Sequence, residues 1–163
     1  MTSRRLKAKN RRESGSFSAW PHVCHEHENF ARLSIPARAL LFEFLGQLRA
    51  SNNGDLCCAF ALLRKRGWRS RDTIERARAE LERFGWIIRT RQGGRNAPNL
   101  YAVTWRAIDD CGGKLDIPSG GPPPGTWRNQ FAMPESRATS PESRATPCTG
   151  DGQPPSKVAR EAA

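Results

Sequence analysis

Basic side chains are concentrated between residues 64 and 95. That stretch carries eleven arginines and lysines against four acidic residues, and the basic ones are Arg64, Lys65, Arg66, Arg69, Arg71, Arg76, Arg78, Arg83, Arg89, Arg91 and Arg95. Such groups bind phosphate through charge-assisted hydrogen bonds, and a planar guanidinium can also donate two parallel bonds to one guanine. A solvated helix face does not require this excess of one sign, so the pattern favours a polyanionic partner.

Two of these arginines flank a glycine pair in the stretch RTRQGGRNAPNLYAVTW, residues 89–105. Alternating residues at both ends indicate two strands, and Gly93, Gly94 and Asn96 supply the conformations of a tight turn. Glycines leave room for a sugar-phosphate backbone, so we expect Arg91 and Arg95 to reach phosphate or the minor groove. The alternative is a plain solvent-exposed hairpin.

The whole chain agrees with a nucleic-acid partner. Its 163 residues carry 27 basic and 16 acidic side chains, a formal net charge of +11. A basic surface on an ordinary soluble protein is the alternative. No apolar run reaches the roughly 18 residues of a membrane span, and no apolar region follows the basic N-terminus, so we expect a cytoplasmic protein without a membrane partner. The five cysteines are then free thiols.

Residues of catalytic or metal-binding type form no recognisable site. His22, Cys24, His25 and His27 are close in sequence, but no second cluster closes a zinc site, and Cys57-Cys58 lacks the usual spacing. We expect this segment to be a surface loop that leads into a helix. No phosphate-binding loop, GxGxxG or Ser/His/Asp order is present, so we predict no enzyme, no metal and no cofactor.

The periodicity of apolar residues predicts three helices. The first covers residues 36–48 with Ser34 as its cap, the second is short and covers 60–65, and the third opens at Ser70 and runs to 84. The third has Ile74, Ala77, Leu81 and Phe84 on its core face, which leaves Asp72, Glu75, Arg76, Ala79 and Arg83 pointing outward. A short extended piece begins at Leu56, and strands are predicted at 86–91 and 99–105.

Composition divides the chain into three parts. Residues 1–17 are a basic flexible arm, residues 18–113 hold everything that can fold, and residues 114–163 are rich in proline, glycine, serine and threonine. The last part contains PESRATS followed by PESRATP, and no apolar period runs through it. We therefore expect a disordered tail, in which Trp127 and Phe131 pack locally or form a short docking motif.

The stretch FALLRKRGWRSRDTIERARAELERFGWI resembles the winged helix-turn-helix family of bacterial and phage DNA-binding proteins. The positions that carry the resemblance are Ser70, Thr73, Ile74, Arg76, Leu81, Gly85 and Ile87. With NNGDL, RGWRS, TRQGGRNAPNLYAVTW and IDDCGGKLD, residues 20–117 resemble small proteins of prophages, plasmids and integrating elements. The resemblance implies a mainly α fold of three helices plus a β-hairpin wing, with a disordered arm and tail.

In such a fold the third helix, about 70–84, enters the major groove, and the wing, about 91–98, contacts the backbone. We expect Arg64, Lys65 and Arg69 to meet phosphates beside the turn. Ser70, Arg71 and Thr73 lie at the helix start. Arg76 is the candidate for reading guanine, and the alternative is a salt bridge to Asp72 or Glu80.

The expected function is duplex DNA binding as a transcriptional regulator or replication initiator of a mobile genetic element. The alternative is a protein–protein interaction module on the same scaffold. A homodimer is a further option, although no heptad run is visible in the sequence.

Overall fold

The computed structural model describes residues 15–95 and 97–130. Within them the chain forms helices and one antiparallel hairpin, with two short 3-10 turns after it, so the fold is mainly α with a small β element. The elements are α1 (His22–Glu26), α2 (Glu28–Ala31), α3 (Ile35–Gln47), α4 (Phe60–Arg64), α5 (Arg71–Arg83), β1 (Ile87–Arg91), β2 (Leu100–Val103) and the turns Cys111–Gly113 and Thr126–Arg128. No helix among these residues is both long and apolar enough to cross a membrane.

Helix α3 begins where the sequence predicts. The Ser34 Oγ accepts a hydrogen bond from the Ala37 N–H at 3.3 Å, and Pro36 lies in the first turn. The Glu80 carboxylate of α5 accepts bonds from the Ser34 N–H and Oγ, both at 2.6 Å. This contact joins the start of α3 to the second half of α5, and it occupies one of the two carboxylates that the sequence offered to Arg76.

The core lies between α3, α5 and the hairpin. Ile74, Ala77 and Leu81 are buried on α5, as the periodicity predicts, and Phe84 is buried immediately after it. They pack with the inner face of α3, whose buried residues are Ala37, Leu40, Leu41, Phe44 and Leu45. Burial of large apolar side chains is the main stabilising contribution to such a domain.

The hairpin pairs Ile87 with Val103 and Ile88 with Ala102, and its register shifts between Arg89 and Arg91. The strands are shorter than the predicted 86–91 and 99–105. Leu56, expected to begin an extended piece, forms an isolated antiparallel bridge with Tyr101. The connection that contains Leu56 therefore lies beside β2.

Part of the tail expected from residue 114 contacts the domain, through Asp116 and Trp127. Trp127 is 1% exposed and stacks on Trp86 with ring centroids 5.4 Å apart. The Asn29 Nδ2 donates to the carbonyls of Trp127 and Asn129, both at 2.8 Å. The proline- and glycine-rich composition did not predict this contact. One large aromatic residue can nevertheless anchor an otherwise irregular segment to the core. Residues 1–14 of the expected arm and 131–163 of the expected tail, including the repeat, lie outside the described residues.

Candidate nucleic-acid interface

The turn between α4 and α5 is held by contacts to the core. Leu63 is buried in α4, and its carbonyl accepts a hydrogen bond from the Trp68 N–H at 3.2 Å. Trp68 is half-buried, and its indole nitrogen lies 3.5 Å from the Glu43 carboxylate of α3. The same carboxylate forms a close ion pair with Arg66. Trp68 and Arg66 therefore fix the turn against α3.

Ser70 begins α5 as the sequence predicts. Its Oγ accepts a hydrogen bond from the Thr73 N–H at 3.3 Å, and Asp72 lies in the first turn. The hydroxyl oxygen of Ser70 is thus engaged in capping. Helix α5 has thirteen residues, and the N–H groups of its first turn have no partner within the helix, so this end favours negative charge.

Basic side chains without a carboxylate partner lie at the end of α4, in the turn and at this helix start. Arg64, Lys65 and Arg69 are exposed, and so is Arg71, whose guanidinium lies 5.0 Å from the centre of the Phe60 ring. None of these four forms an ion pair with any residue in 15–95 or 97–130. The sequence did not single out Phe60, which positions Arg71.

Arg76 is exposed, as expected, and it is bound to Asp72. The two side chains are 74% and 75% exposed, and the Arg76 Nη2 lies 2.8 Å from the Asp72 carboxylate. The pair is one of the two salt bridges that the sequence offered as an alternative. Glu80, the other candidate, is engaged with Ser34. An ion pair this exposed is weak, so solvent or a ligand can displace it.

Two other carboxylates of α5 are bound by arginines. Arg78 is only 17% exposed, and its guanidinium binds Glu75 at 2.8 Å and Glu82 at 2.5 Å. Glu82 also lies 3.6 Å from Arg89 of β1. These contacts neutralise two acidic side chains, while the basic residues near Ser70 remain unpaired with carboxylates.

Gly93, the first glycine of the hairpin tip, does not leave the expected room for a DNA backbone. A Cβ on Gly93 would lie 2.5 Å from the Ala97 carbonyl oxygen, so the chain's own backbone fills that space. The Asn99 Oδ1 accepts a hydrogen bond from the Gly93 N–H at 2.6 Å. A Cβ on Gly94 would meet nothing within 4 Å, so only this second glycine leaves open room for a backbone.

The two arginines of the hairpin differ in exposure. Arg95 is exposed at the tip and has no ion-pair partner among the described residues. Arg91 is half-buried at the end of β1, and its Nη2 lies 3.4 Å from the Pro98 carbonyl. Arg95 is therefore available to a ligand, whereas Arg91 also supports the returning strand.

The segment after the hairpin stabilises its base. The Asp116 carboxylate accepts a hydrogen bond from the Gln92 N–H, and the Asp116 N–H donates to the Thr90 carbonyl, both at 2.8 Å. The Thr90 hydroxyl donates to the Gly54 carbonyl at 2.6 Å. Asp116 belongs to the part expected to be a tail, and nothing in its local sequence indicates this contact.

A cleft joins the start of α5 to the hairpin. Arg71 and Glu75 line one side of this space of about 350 Å³, Pro98 and Asn99 line the other, and Cys58 and Tyr101 also contribute. Burial raises the pKa of both the Cys58 thiol and the Tyr101 phenol to about 12. Both groups are therefore protonated at neutral pH, and the cleft offers polar contacts without an ionised nucleophile.

Two residues of the histidine and cysteine cluster near the N-terminus, Cys24 and His27, contribute to the packing of the domain. Cys24 is fully buried in α1, where the sequence predicted a surface loop. The His27 Nδ1 accepts a hydrogen bond from the Asn29 N–H at 3.1 Å, which caps α2, and the His27 ring contacts Trp127 edge to face. In the described parts of the chain, no three histidine, cysteine or acidic residues lie close enough to hold a metal ion.

Comparison of the chain with protein families, with curated proteins and with solved structures gives no match.

Proposed function

We propose that the domain is a winged helix-turn-helix that binds duplex DNA. In this assignment α4 and α5 are the helix-turn-helix, α5 is the recognition helix, and the hairpin with its tip at residues 92–98 is the wing. The order of elements and the bridge of Leu56 to β2 agree with that topology. The resemblance to proteins of prophages, plasmids and integrating elements favours a regulator or replication initiator of a mobile genetic element.

One observation carries the proposal: basic side chains without carboxylate partners lie from the end of α4 to the start of α5. Arg64, Lys65, Arg69 and Arg71 lie there, whereas Glu75 and Glu82 are bound by Arg78. Residues 64–95 carry eleven basic and four acidic side chains, so several cations have no carboxylate to pair with, and four of them lie along 64–71. The arrangement leaves a positive surface beside the helix end that already favours phosphate.

The wing completes this surface. Arg71 and Asn99 line opposite sides of the same cleft, so the helix start and the hairpin are neighbours. Contacts from Asp116 and Asn99 fix the hairpin conformation before any ligand binds. A preformed wing loses less conformational entropy on binding, and Arg95 at its tip can then contact a phosphate.

The salt dependence of binding tests the proposal. The full chain is titrated into a labelled duplex at several salt concentrations, and the dissociation constant is measured by fluorescence anisotropy. If five to seven cations contact phosphates, we expect the logarithm of affinity to fall with a slope of about 4.5 to 6 per logarithm of salt. That slope corresponds to roughly a thousandfold loss of affinity between 50 and 200 mM salt.

A double variant shows which surface is responsible. Replacing Arg69 and Arg71 with alanine should lower the slope by about 2, whereas Arg49→Ala, which removes a charge at the end of α3, should leave it unchanged. A slope near zero, or equal effects of both variants, would remove this surface from DNA binding. A salt-independent protein partner would then favour the interaction-module alternative.

A further inference from the structure

Helix α3 is apolar on both of its faces. Its inner face is buried in the core, but Ile35 is 72% exposed and Phe42 is 77% exposed on the outer face. Ala39 and Gly46 are exposed on that same face. A helix that is hydrophobic all round is normally buried all round, so the outer face has the composition of an interface.

The charged residues of α3 do not interrupt this outer face. The helix has only two, Arg38 and Glu43. The Arg38 guanidinium donates to the Ala31 carbonyl at 2.5 Å and lies over the Phe30 ring. Glu43 is bound to Arg66 and Trp68. Both charges are therefore engaged with their own chain, and the strip between them is apolar except beside Gly46, where the Arg66 guanidinium lies close.

The four outward residues follow the spacing of a coiled-coil seam. Ile35, Ala39, Phe42 and Gly46 are separated by four, three and four residues, which keeps them on one line along the helix. Large and small residues alternate along it. When two such helices run antiparallel, Ile35 lies opposite Gly46 of the second copy, and Ala39 lies opposite Phe42. Each large side chain then has a small one as its counterpart.

We propose that this face, defined by Ile35, Ala39, Phe42 and Gly46, is a homodimer interface in which the α3 helices of two copies pack antiparallel. The strip is complementary to itself in that direction, as a two-fold symmetric interface requires. In a parallel pair, Phe42 would meet Phe42 and Gly46 would meet Gly46, which leaves a void at one layer and crowding at another.

The expected dimer is weak in the absence of other ligands. A helix of thirteen residues is only about 20 Å long, and a contact of that length buries less than the roughly 1,200 Å² of a stable interface. Association should therefore depend on protein concentration in the micromolar range or above. This inference does not rest on DNA binding, because its measurement needs the protein alone.

Sedimentation equilibrium of the full chain over a range of concentrations tests the dimer. We expect a monomer–dimer equilibrium that Phe42→Glu weakens at least tenfold, while Val23→Glu, a similar change at an exposed apolar residue of α1, leaves it unchanged. Circular dichroism should show that both variants remain folded. A wild-type chain that stays monomeric up to millimolar concentration, or equal effects of the two variants, would overturn the proposal.

The direction of packing is tested separately with Ile35→Glu and Gly46→Lys. A Cβ on Gly46 would meet only the end of the flexible Arg66 side chain, at 3.9 Å, so the backbone leaves room for a side chain there. In an antiparallel dimer the double variant pairs Glu with Lys between copies twice, and it should dimerise several-fold more tightly than either single variant. A double variant that is no tighter than the singles would refute the antiparallel arrangement. Within one helix the two positions are about 16 Å apart and cannot pair.

Discussion

Replacing Arg76 with alanine separates base reading from phosphate binding. In the free protein Arg76 binds Asp72, and both side chains are about three-quarters exposed. A pair of this kind on a helix contributes about 0.3–0.5 kcal/mol. Two parallel bonds to a guanine contribute about 1–3 kcal/mol, so at the proposed interface the exchange of Asp72 for a guanine would be favourable. Arg76→Ala should then weaken the preferred site by about 5- to 150-fold.

Asp72→Asn removes the other partner of the same ion pair. It removes the carboxylate that holds Arg76 and also removes a negative charge near the expected phosphates. Freedom from a pair of 0.3–0.5 kcal/mol corresponds to about twofold, so affinity for the preferred site should rise by about twofold or more. Thermal unfolding serves as a check, because the first turn of α5 loses a favourable interaction with the helix dipole.

The assay is competition binding at one fixed salt concentration. A target selected from random duplexes and its single-base variants compete for the protein, and Arg49→Ala is the control for loss of one charge. We expect Arg76→Ala to relax selectivity at one base pair and to change binding to unrelated DNA little. Equal weakening on all duplexes would show that Arg76 contacts phosphate. No change on any duplex would mean that α5 does not enter the groove.

Other predictions concern the hairpin, the C-terminal segment and the thiols. Gly93→Ala should disturb the tip and lower DNA affinity severalfold in anisotropy titrations, while Gly94→Ala, which meets no atom within 4 Å, should not; equal effects would contradict the packing argument. Trp127→Ala should lower the free energy of unfolding by about 3–5 kcal/mol in urea, and a loss below about 1 kcal/mol would show that its segment is not part of the core. Burial raises the pKa of Cys58 to about 12, so iodoacetamide at neutral pH should alkylate Cys57 much faster than Cys58. Peptide mapping by mass spectrometry measures the two rates, and faster alkylation of Cys58 would refute its burial.

Local rules predicted α3, α4 and α5 because their signals are local, whereas the short α1 and α2 were not predicted. Ser34 and Ser70 mark helix starts within one residue of those observed, and the spacing of Ile74, Ala77 and Leu81 identifies the buried side of α5. A capping serine and an apolar stripe both act over three or four residues, so the sequence alone carries their information.

Contacts between distant residues were not predictable in the same way. Asp116 binds the backbone at Thr90 and Gln92, and Asn29 binds the backbone at Trp127, a separation of 98 residues. Side chains that bond to main-chain groups leave no pattern in the sequence, because any residue supplies the same N–H or carbonyl. Composition alone therefore predicts a tail after residue 113.

The charge counted in the sequence also differs from the charge left unpaired in the structure. This difference sets the salt dependence expected of DNA binding. Residues 64–95 contain eleven basic and four acidic side chains, which suggests a uniformly positive region. In the structure Arg66 is bound to Glu43, and Arg78 to two glutamates, so these arginines add little to the outward field. Arg64, Lys65, Arg69, Arg71 and Arg95 have no such partner among the residues described. A salt slope near five would reflect these five cations, whereas a slope near ten would require further cations to contact DNA, either the bound arginines or the basic residues of 1–17.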